Sequence, residues 1–189
     1  YEPHKHVYMA TLPGMRERTI ICNSLSKTYS ITGWRLGYVM AAPEIIDRVK
    51  KVHDFLTVGA AAPLMEAAVV GLEFEENYYK ELQAHYTHMK ELFVGGLKEL
   101  GFTITEPQGA YYVLLDVSEF GVKDDVAFCE WMAEHVGVAA VPGSSFFRED
   151  VHHLVRFHFA KKDETLKEAL KRLADLRIKA NSAQNVVWR

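Results

Sequence analysis

A single lysine, Lys27, lies in a short segment rich in hydroxyl side chains, residues 24–38. An apolar run at residues 19–22 comes just before it and predicts a buried strand, which would place the lysine at the end of that strand. The ends of strands are where α/β sheets bind their ligands. Arg35 follows eight residues after the lysine, next to a Gly-Trp pair.

These residue types suit two interpretations. Hydroxyls and a guanidinium form a good anion site, and a neighbouring amine that is partly buried becomes reactive. The alternative is an ordinary polar loop in which Lys27 and Arg35 are two solvated cations.

A second arginine lies in the middle of a predicted strand. Residues 154–159 alternate strictly, so Arg156 and His158 point away from the apolar face of that strand. The planar guanidinium of Arg156 is suited to bind a carboxylate through two parallel hydrogen bonds. The alternative is that its stem lies along an exposed sheet face and its charge is solvated.

Composition excludes several classes of partner. The 189 residues are 49% apolar with a net charge of −3, and the basic residues are scattered among acidic ones, so we expect no nucleic-acid partner. The longest weakly polar run, residues 58–72, contains Pro63 and Glu66 and is shorter than the roughly 20 residues of a membrane span, so we expect no membrane partner.

The sequence also bears on compartment and metals. No secretion signal is recognisable, and Cys22 and Cys129 fall in a predicted strand and a predicted helix, which fits a reducing cytoplasm better than a disulfide framework. The nine histidines lack neighbouring ligands at metal spacing, and the adjacent pair His152 and His153 would point to opposite sides of a strand. We therefore predict no metal site.

The predicted elements fall into two groups. After an irregular lead-in, only two buried strands (19–22 and 36–42) and a helix (43–52) precede a long helical region, 63–100, which bends near Glu75 and contains a domain boundary. The remainder predicts a compact α+β lobe, with strands 102–105, 111–116, 138–141 and 154–159 and helices 124–136 and 163–179. Asp163 is the predicted N-cap of the last helix. Two strands are too few for a covered sheet, which indicates part of a larger fold.

Several motifs in this order resemble one family. Ser24-Leu-Ser-Lys27 together with Gly33-Trp-Arg35-Leu-Gly-Tyr38 is similar to the lysine signature of class I/II aminotransferases, which are pyridoxal-phosphate enzymes of fold type I. The resemblance extends over residues 1–178, through the segments 10–18, 53–59, 107–112, 141–146 and 155–160.

The resemblance implies roles for four residues. Lys27 matches the lysine that holds pyridoxal 5'-phosphate as an internal aldimine, and Ser24 and Arg35 match ligands of the cofactor's phosphate. Arg156 matches the arginine that binds the substrate α-carboxylate. The implied reaction is transfer of an amino group from an amino acid to a 2-oxo acid.

The resemblance also implies an architecture. The fold class would be α/β, with a partial large-domain sheet carrying the lysine, a long interdomain helix and a small α+β C-terminal domain. We divide the chain into a remnant of the cofactor-binding large domain (1–62), an interdomain helical region (63–101), a small domain (102–180) and a tail (181–189). Family members usually form homodimers, and we expect the same here.

The chain departs from the family pattern in one important way. The family Asp that pairs with the pyridine nitrogen, and the Tyr that bonds the ring's phenolic oxygen, have no match here, and Tyr1 fits a later family segment better. We therefore expect a C-terminal fragment that is inactive alone. Two alternatives remain open, a carbon-sulfur lyase of the same fold and a non-catalytic truncated module.

Overall fold

The computed structural model of the chain describes residues 1–183 and 188. It divides into two compact units. The first, here called the lysine unit, is Lys5–Tyr79, and the second, here called the C-terminal unit, combines Tyr1–His4 with Lys80–Arg189. Among the described residues, no helix is long and apolar enough to cross a membrane. The assignment of these units to the family's large and small domains stays a prediction.

The lysine unit contains two strands and two complete α-helices. Strand β1 (Ile21–Ser24) pairs antiparallel with β2 (Gly37–Met40), and Ser24 lies opposite Gly37 at the end nearest the lysine. Helix α1 (Pro43–Leu56) starts with proline in its first turn, as predicted, and α2 (Ala62–Leu72) follows. Helix α3 (Glu76–Glu99) begins in this unit.

The prediction that both strands are buried is wrong. The side chains of Cys22, Val39 and Met40 are exposed, because within the described chain these strands pair only with each other and a two-stranded ribbon cannot cover its own faces. The buried residues of this unit lie instead in the loop after β1, where Leu25 and Leu36 pack with Ala68 of α2. The apolar core of the lysine unit therefore supports the loop and not the strands.

The C-terminal unit is an antiparallel sheet covered by helices. Its strands are β3 (Ile104–Thr105), β4 (Tyr112–Asp116), β5 (Val141–Pro142) and β6 (Leu154–His158), in the spatial order β3-β4-β6-β5. Its helices are the rest of α3, then α4 (Asp125–Trp131), which continues as a π-helical turn (Met132–Val136), α5 (Asp163–Leu173) and α6 (Leu176–Ser182). This confirms the predicted α+β lobe.

The sheet alternates as its sequence predicts. Val155 and Phe157 of β6 are buried, and the Phe157 ring lies 5.9 Å from that of Phe93 on α3. Leu166 and Leu173 of α5 are buried in the same core. Because β-strand side chains alternate between faces, this packing leaves Arg156 on the opposite face of the sheet.

Three local predictions need correction. The long helical region is two helices separated between Leu72 and Glu76, near the predicted bend, and the last predicted helix is likewise split between α5 and α6. Asp163 is not an N-cap: that position is Lys162, without a side-chain cap, and the Asp163 carboxylate instead bonds His88 at 3.0 Å. In the predicted tail, residues 184–187 and 189 lie outside the described residues.

Gly143 occupies a place that only glycine fits. A Cβ atom there would collide with the backbone carbonyl of Leu154, a residue of β6 that is held by its pairing with Asp116 of β4. We expect Gly143→Ala to lower the free energy of unfolding by about 1–3 kcal/mol, the usual cost of overpacking. Urea unfolding would measure this, with Gly109→Ala as control because a Cβ at Gly109 meets nothing within 4 Å. Equal stability of the two variants would contradict the prediction.

Candidate active site

The loop between β1 and β2 folds around Ser26, which is buried. The Ser26 carbonyl accepts hydrogen bonds from the Ile31 amide at 3.0 Å and from Thr32 Oγ1 at 3.2 Å. Its amide donates to Ser24 Oγ at 3.2 Å. With both backbone groups of Ser26 satisfied, the loop closes on itself and directs Lys27, the next residue, to its exposed surface.

Thr32 joins the two cations predicted to form the site. Lys27 Nζ lies 3.4 Å from Thr32 Oγ1, and Arg35 Nη1 donates to the Thr32 carbonyl at 2.9 Å. Arg35 itself has left-handed backbone geometry, with φ of 58°, which turns its side chain back along the loop. The structure thus brings Lys27 and Arg35 to one residue, Thr32, while Ser24 bonds the Ser26 amide at the start of the same loop. Thr32 was not among the residues predicted to form the site.

The chemistry of this donor set fits a phosphorylated aldehyde such as pyridoxal phosphate. In the described chain, no carboxylate lies within 4.0 Å of the Lys27 amine or the Arg35 guanidinium. The Ser24 hydroxyl accepts the Ser26 amide, so its own proton remains available, and Arg35 has further N–H groups beyond the one given to Thr32. Two cations and a hydroxyl without a counterion are suited to bind a phosphate.

Tyrosines of the same unit anchor the loop. Tyr78 donates its hydroxyl to the carbonyl of Thr28 at 2.6 Å, one residue after the lysine. The Tyr29 ring packs against Gly71, where a Cβ atom would come within 3.0 Å of it, and its hydroxyl pairs with that of Tyr79 at 2.8 Å. Burial, followed by the Tyr79 hydrogen bond, raises the pKa of Tyr29 to about 12, so this phenol stays protonated. These long-range contacts were not predicted.

Arg156 belongs to the C-terminal unit. Its guanidinium carbon lies 4.2 Å from the centroid of the Tyr112 ring and 3.8 Å from that of Phe146. In the described residues no carboxylate lies within ion-pair distance of it. The cation thus lies over the faces of two rings, and its N–H groups remain available for a ligand because no carboxylate of the described residues pairs with them.

A buried carboxylate, Asp125, supports the segment that carries Phe146. It accepts the backbone N–H of Ser144 at 2.8 Å, and its other oxygen lies 2.8 Å from Nδ1 of His152. His152 Nε2 in turn contacts the Asp150 carboxylate at 2.7 Å. From the sequence, His152 was considered only as a metal ligand and rejected, and its contact with Asp125 was not predicted. No group of described histidines, cysteines and carboxylates is arranged to hold a metal ion.

Asp125 and His152 shift each other's pKa. Burial acts to raise the pKa of Asp125, but the hydrogen bonds from Ser144 and His152 outweigh it and hold that pKa below its usual value. The bonds to Asp125 first, and to Asp150 second, raise the pKa of His152. The pair is therefore ionised over a wider pH range than isolated side chains would be.

This coupling predicts a pH-dependent stability. A histidine whose pKa is raised on folding stabilises the fold fully below its unfolded pKa, about 6.5, and loses that contribution as pH rises through the folded value. We therefore expect His152→Gln to destabilise the protein more at pH 5.5 than at pH 9, as measured by urea unfolding. The neighbouring variant His153→Gln is the control. If His152→Gln lowered the free energy of unfolding equally at both pH values, the coupling would be refuted.

Comparison with known proteins adds an independent line of evidence. A family model described as aminotransferase class I and II matches residues 4–173. The methionine aminotransferase of Escherichia coli is 37% identical over 172 residues, which are 90% of this chain and 45% of that protein. A probable N-succinyldiaminopimelate aminotransferase of Mycobacterium tuberculosis is 33% identical over 186 residues, covering 93% of this chain and 47% of its own length.

Solved structures agree with the sequence relatives. An aromatic aminotransferase from Pyrococcus horikoshii superimposes with a TM-score of 0.86 at 33% identity, over 96% of this chain and 48% of that one. The N-succinyldiaminopimelate aminotransferase from Mycobacterium tuberculosis gives a TM-score of 0.85 at 34% identity, over 93% and 46%. The chain thus spans just under half the length of the curated relatives that it matches.

Proposed function

The chain belongs to the class I and II aminotransferase family, whose members depend on pyridoxal phosphate, and from this premise we propose that it is the C-terminal part of an aminotransferase. In such an enzyme an amino group passes from an amino acid to a 2-oxo acid. The observation that carries the proposal is the contact of Lys27 and Arg35 with one residue, Thr32, without a neutralising carboxylate among the described residues.

Three residues of the segment 24–36, here called the lysine loop, have a proposed task. Ser24 and Arg35 would bind the phosphate of the cofactor through a hydroxyl and a guanidinium, which would fix the orientation of the ring. The Lys27 amine would hold the cofactor through its aldehyde group and would be released when the substrate amine takes its place. When bound, the cofactor supplies an electron sink for the pair of electrons left at the substrate α-carbon. Lys27 Nζ is then free to take and return the proton of that carbon.

Arg156 is the proposed site for the substrate carboxylate. Amino acids and 2-oxo acids both carry a carboxylate next to the reacting carbon, so one arginine serves both halves of the reaction. The support is its geometry: the guanidinium lies over the Tyr112 and Phe146 rings, and no carboxylate in the described chain pairs with it. A guanidinium held in this way loses little further conformational entropy when it binds the two oxygens of a carboxylate.

We also propose a cytoplasmic homodimer. The proposal for the cytoplasm is supported by two free cysteines, Cys22 and Cys129, which fit a reducing compartment. Association with a second copy is supported by exposed apolar side chains near the end of α1: Phe55 is 90% exposed, Leu56 76% and Val58 81%.

The lysine assignment predicts a spectroscopic result. After incubation with pyridoxal phosphate and dialysis, the chain should show the absorption band of a lysine-bound cofactor, and Lys27→Ala should show none. Lys51→Ala, which removes an exposed lysine from α1, is the control and should keep the band. Arg35→Gln should weaken binding about tenfold or more, because it removes a charge-assisted contact with the phosphate. Persistence of the band in Lys27→Ala would refute the assignment.

The 189-residue chain alone should show little or no transamination. The 189 residues have no match for the family Asp that keeps the ring nitrogen protonated, and a neutral ring nitrogen is a weaker electron sink. Chromatography would measure the new amino acid formed from an amino acid, a 2-oxo acid and added pyridoxal phosphate. The Escherichia coli methionine aminotransferase is the positive control. Turnover by this chain that disappears in Lys27→Ala would overturn the prediction.

A further inference from the structure

The two rings that cover Arg156 are held very differently. Tyr112 lies on β4, which pairs with β6 along five residues. Phe146 instead ends a single 3-10 turn, Gly143–Phe146, and 46% of its side chain is exposed. The position of the Phe146 ring therefore depends on what fixes that turn.

The turn is fixed at its start by backbone packing and then by one carboxylate. Gly143 lies against the Leu154 carbonyl, and Pro142 pairs with Val155 in the sheet. The next amide, that of Ser144, donates to Asp125 Oδ2 at 2.8 Å. This bond ties the turn to a helix, since Asp125 lies in the first turn of α4.

Burying the Asp125 carboxylate is by itself energetically unfavourable. Its side chain is fully buried, and a buried carboxylate is destabilising unless hydrogen bonds and an opposite charge compensate it. His152 supplies the charge at 2.8 Å, and His152 is held in place by Asp150 at the surface. A continuous chain of polar contacts thus runs from the surface to the turn that carries Phe146.

We propose that Asp125 and His152 are positioning residues of the carboxylate site: they hold the Gly143–Phe146 turn so that the Phe146 ring covers Arg156 and the guanidinium is oriented for its ligand. This inference rests on the proposed role of Arg156 in binding carboxylate. Neither residue touches the ligand. Their effect passes through the backbone of Ser144 and the ring of Phe146.

The position of the ring is measurable in the free protein by NMR. Protons that lie over the face of an aromatic ring are shifted upfield. The chemical shift of the Arg156 Nε–Hε proton therefore reports whether the Phe146 ring covers the guanidinium, and its signal is assigned by its loss in Arg156→Lys. Phe146→Leu gives the position of the signal without the second ring. We expect Asp125→Ala and His152→Gln to move the signal towards that position and His153→Gln to leave it unchanged.

A wild-type signal position in a folded His152→Gln variant would overturn the proposal. This variant decides the question even where Asp125→Ala fails to fold, because the His152 side chain is 38% exposed and its replacement leaves no sealed cavity. His153 is the matched control, since it is an exposed histidine one residue away.

The consequence for binding is tested by titrating pyruvate, a small 2-oxo acid, while following the same signal. We expect His152→Gln to bind pyruvate about threefold more weakly than wild type or His153→Gln, the effect of losing one cation–ring contact. Equal affinity despite a displaced signal would overturn the effect on ligand binding. If pyruvate leaves the wild-type signal unmoved, the role of Arg156 in binding carboxylate is refuted. The position of the signal in the ligand-free variants still decides whether Asp125 and His152 hold the Phe146 ring in place.

Discussion

The hydrogen bonds accepted by the Ser26 carbonyl are the constraint on which the candidate site depends. They come from the Ile31 amide and the Thr32 hydroxyl, and they close the loop so that Thr32 lies beside both the Lys27 amine and the Arg35 guanidinium. Two cations held near one residue repel each other, and the described chain supplies no carboxylate to offset this. A bound anion relieves that repulsion, which is why the geometry favours a phosphate ligand.

The same principle operates at the second arginine. Arg156 is held by the faces of Tyr112 and Phe146 and not by an acidic side chain. An ion pair would fix the guanidinium too, but it would also neutralise the charge that a substrate carboxylate needs. Where the protein does bury a carboxylate, at Asp125, that group is paired with His152 and a backbone amide and not with Arg156. Neutral partners orient the cations, and their charge remains for ligands.

Local patterns in the sequence predicted those features of the structure that depend on residues close together in the chain. The alternation of residues 154–159 placed Arg156 on the face opposite Val155 and Phe157, and turn and periodicity signals predicted the α+β lobe. Contacts between distant residues were not predictable in this way. The bond from Tyr78 to Thr28 joins residues 50 apart, and that from Ser144 to Asp125 joins residues 19 apart. The buried character of β1 and β2 was predicted wrongly because apolar strand residues indicate burial only where other elements cover them.

The most direct test of the central claim, that the lysine loop is a cofactor site, is chemical trapping. The chain is incubated with pyridoxal phosphate, reduced with borohydride to make the lysine bond permanent, digested and mapped by mass spectrometry. We expect the pyridoxyl phosphate group on Lys27 at cofactor concentrations that leave other exposed lysines, such as Lys50 and Lys51, unmodified. Labelling spread evenly over these lysines, with no preference for Lys27, would contradict it.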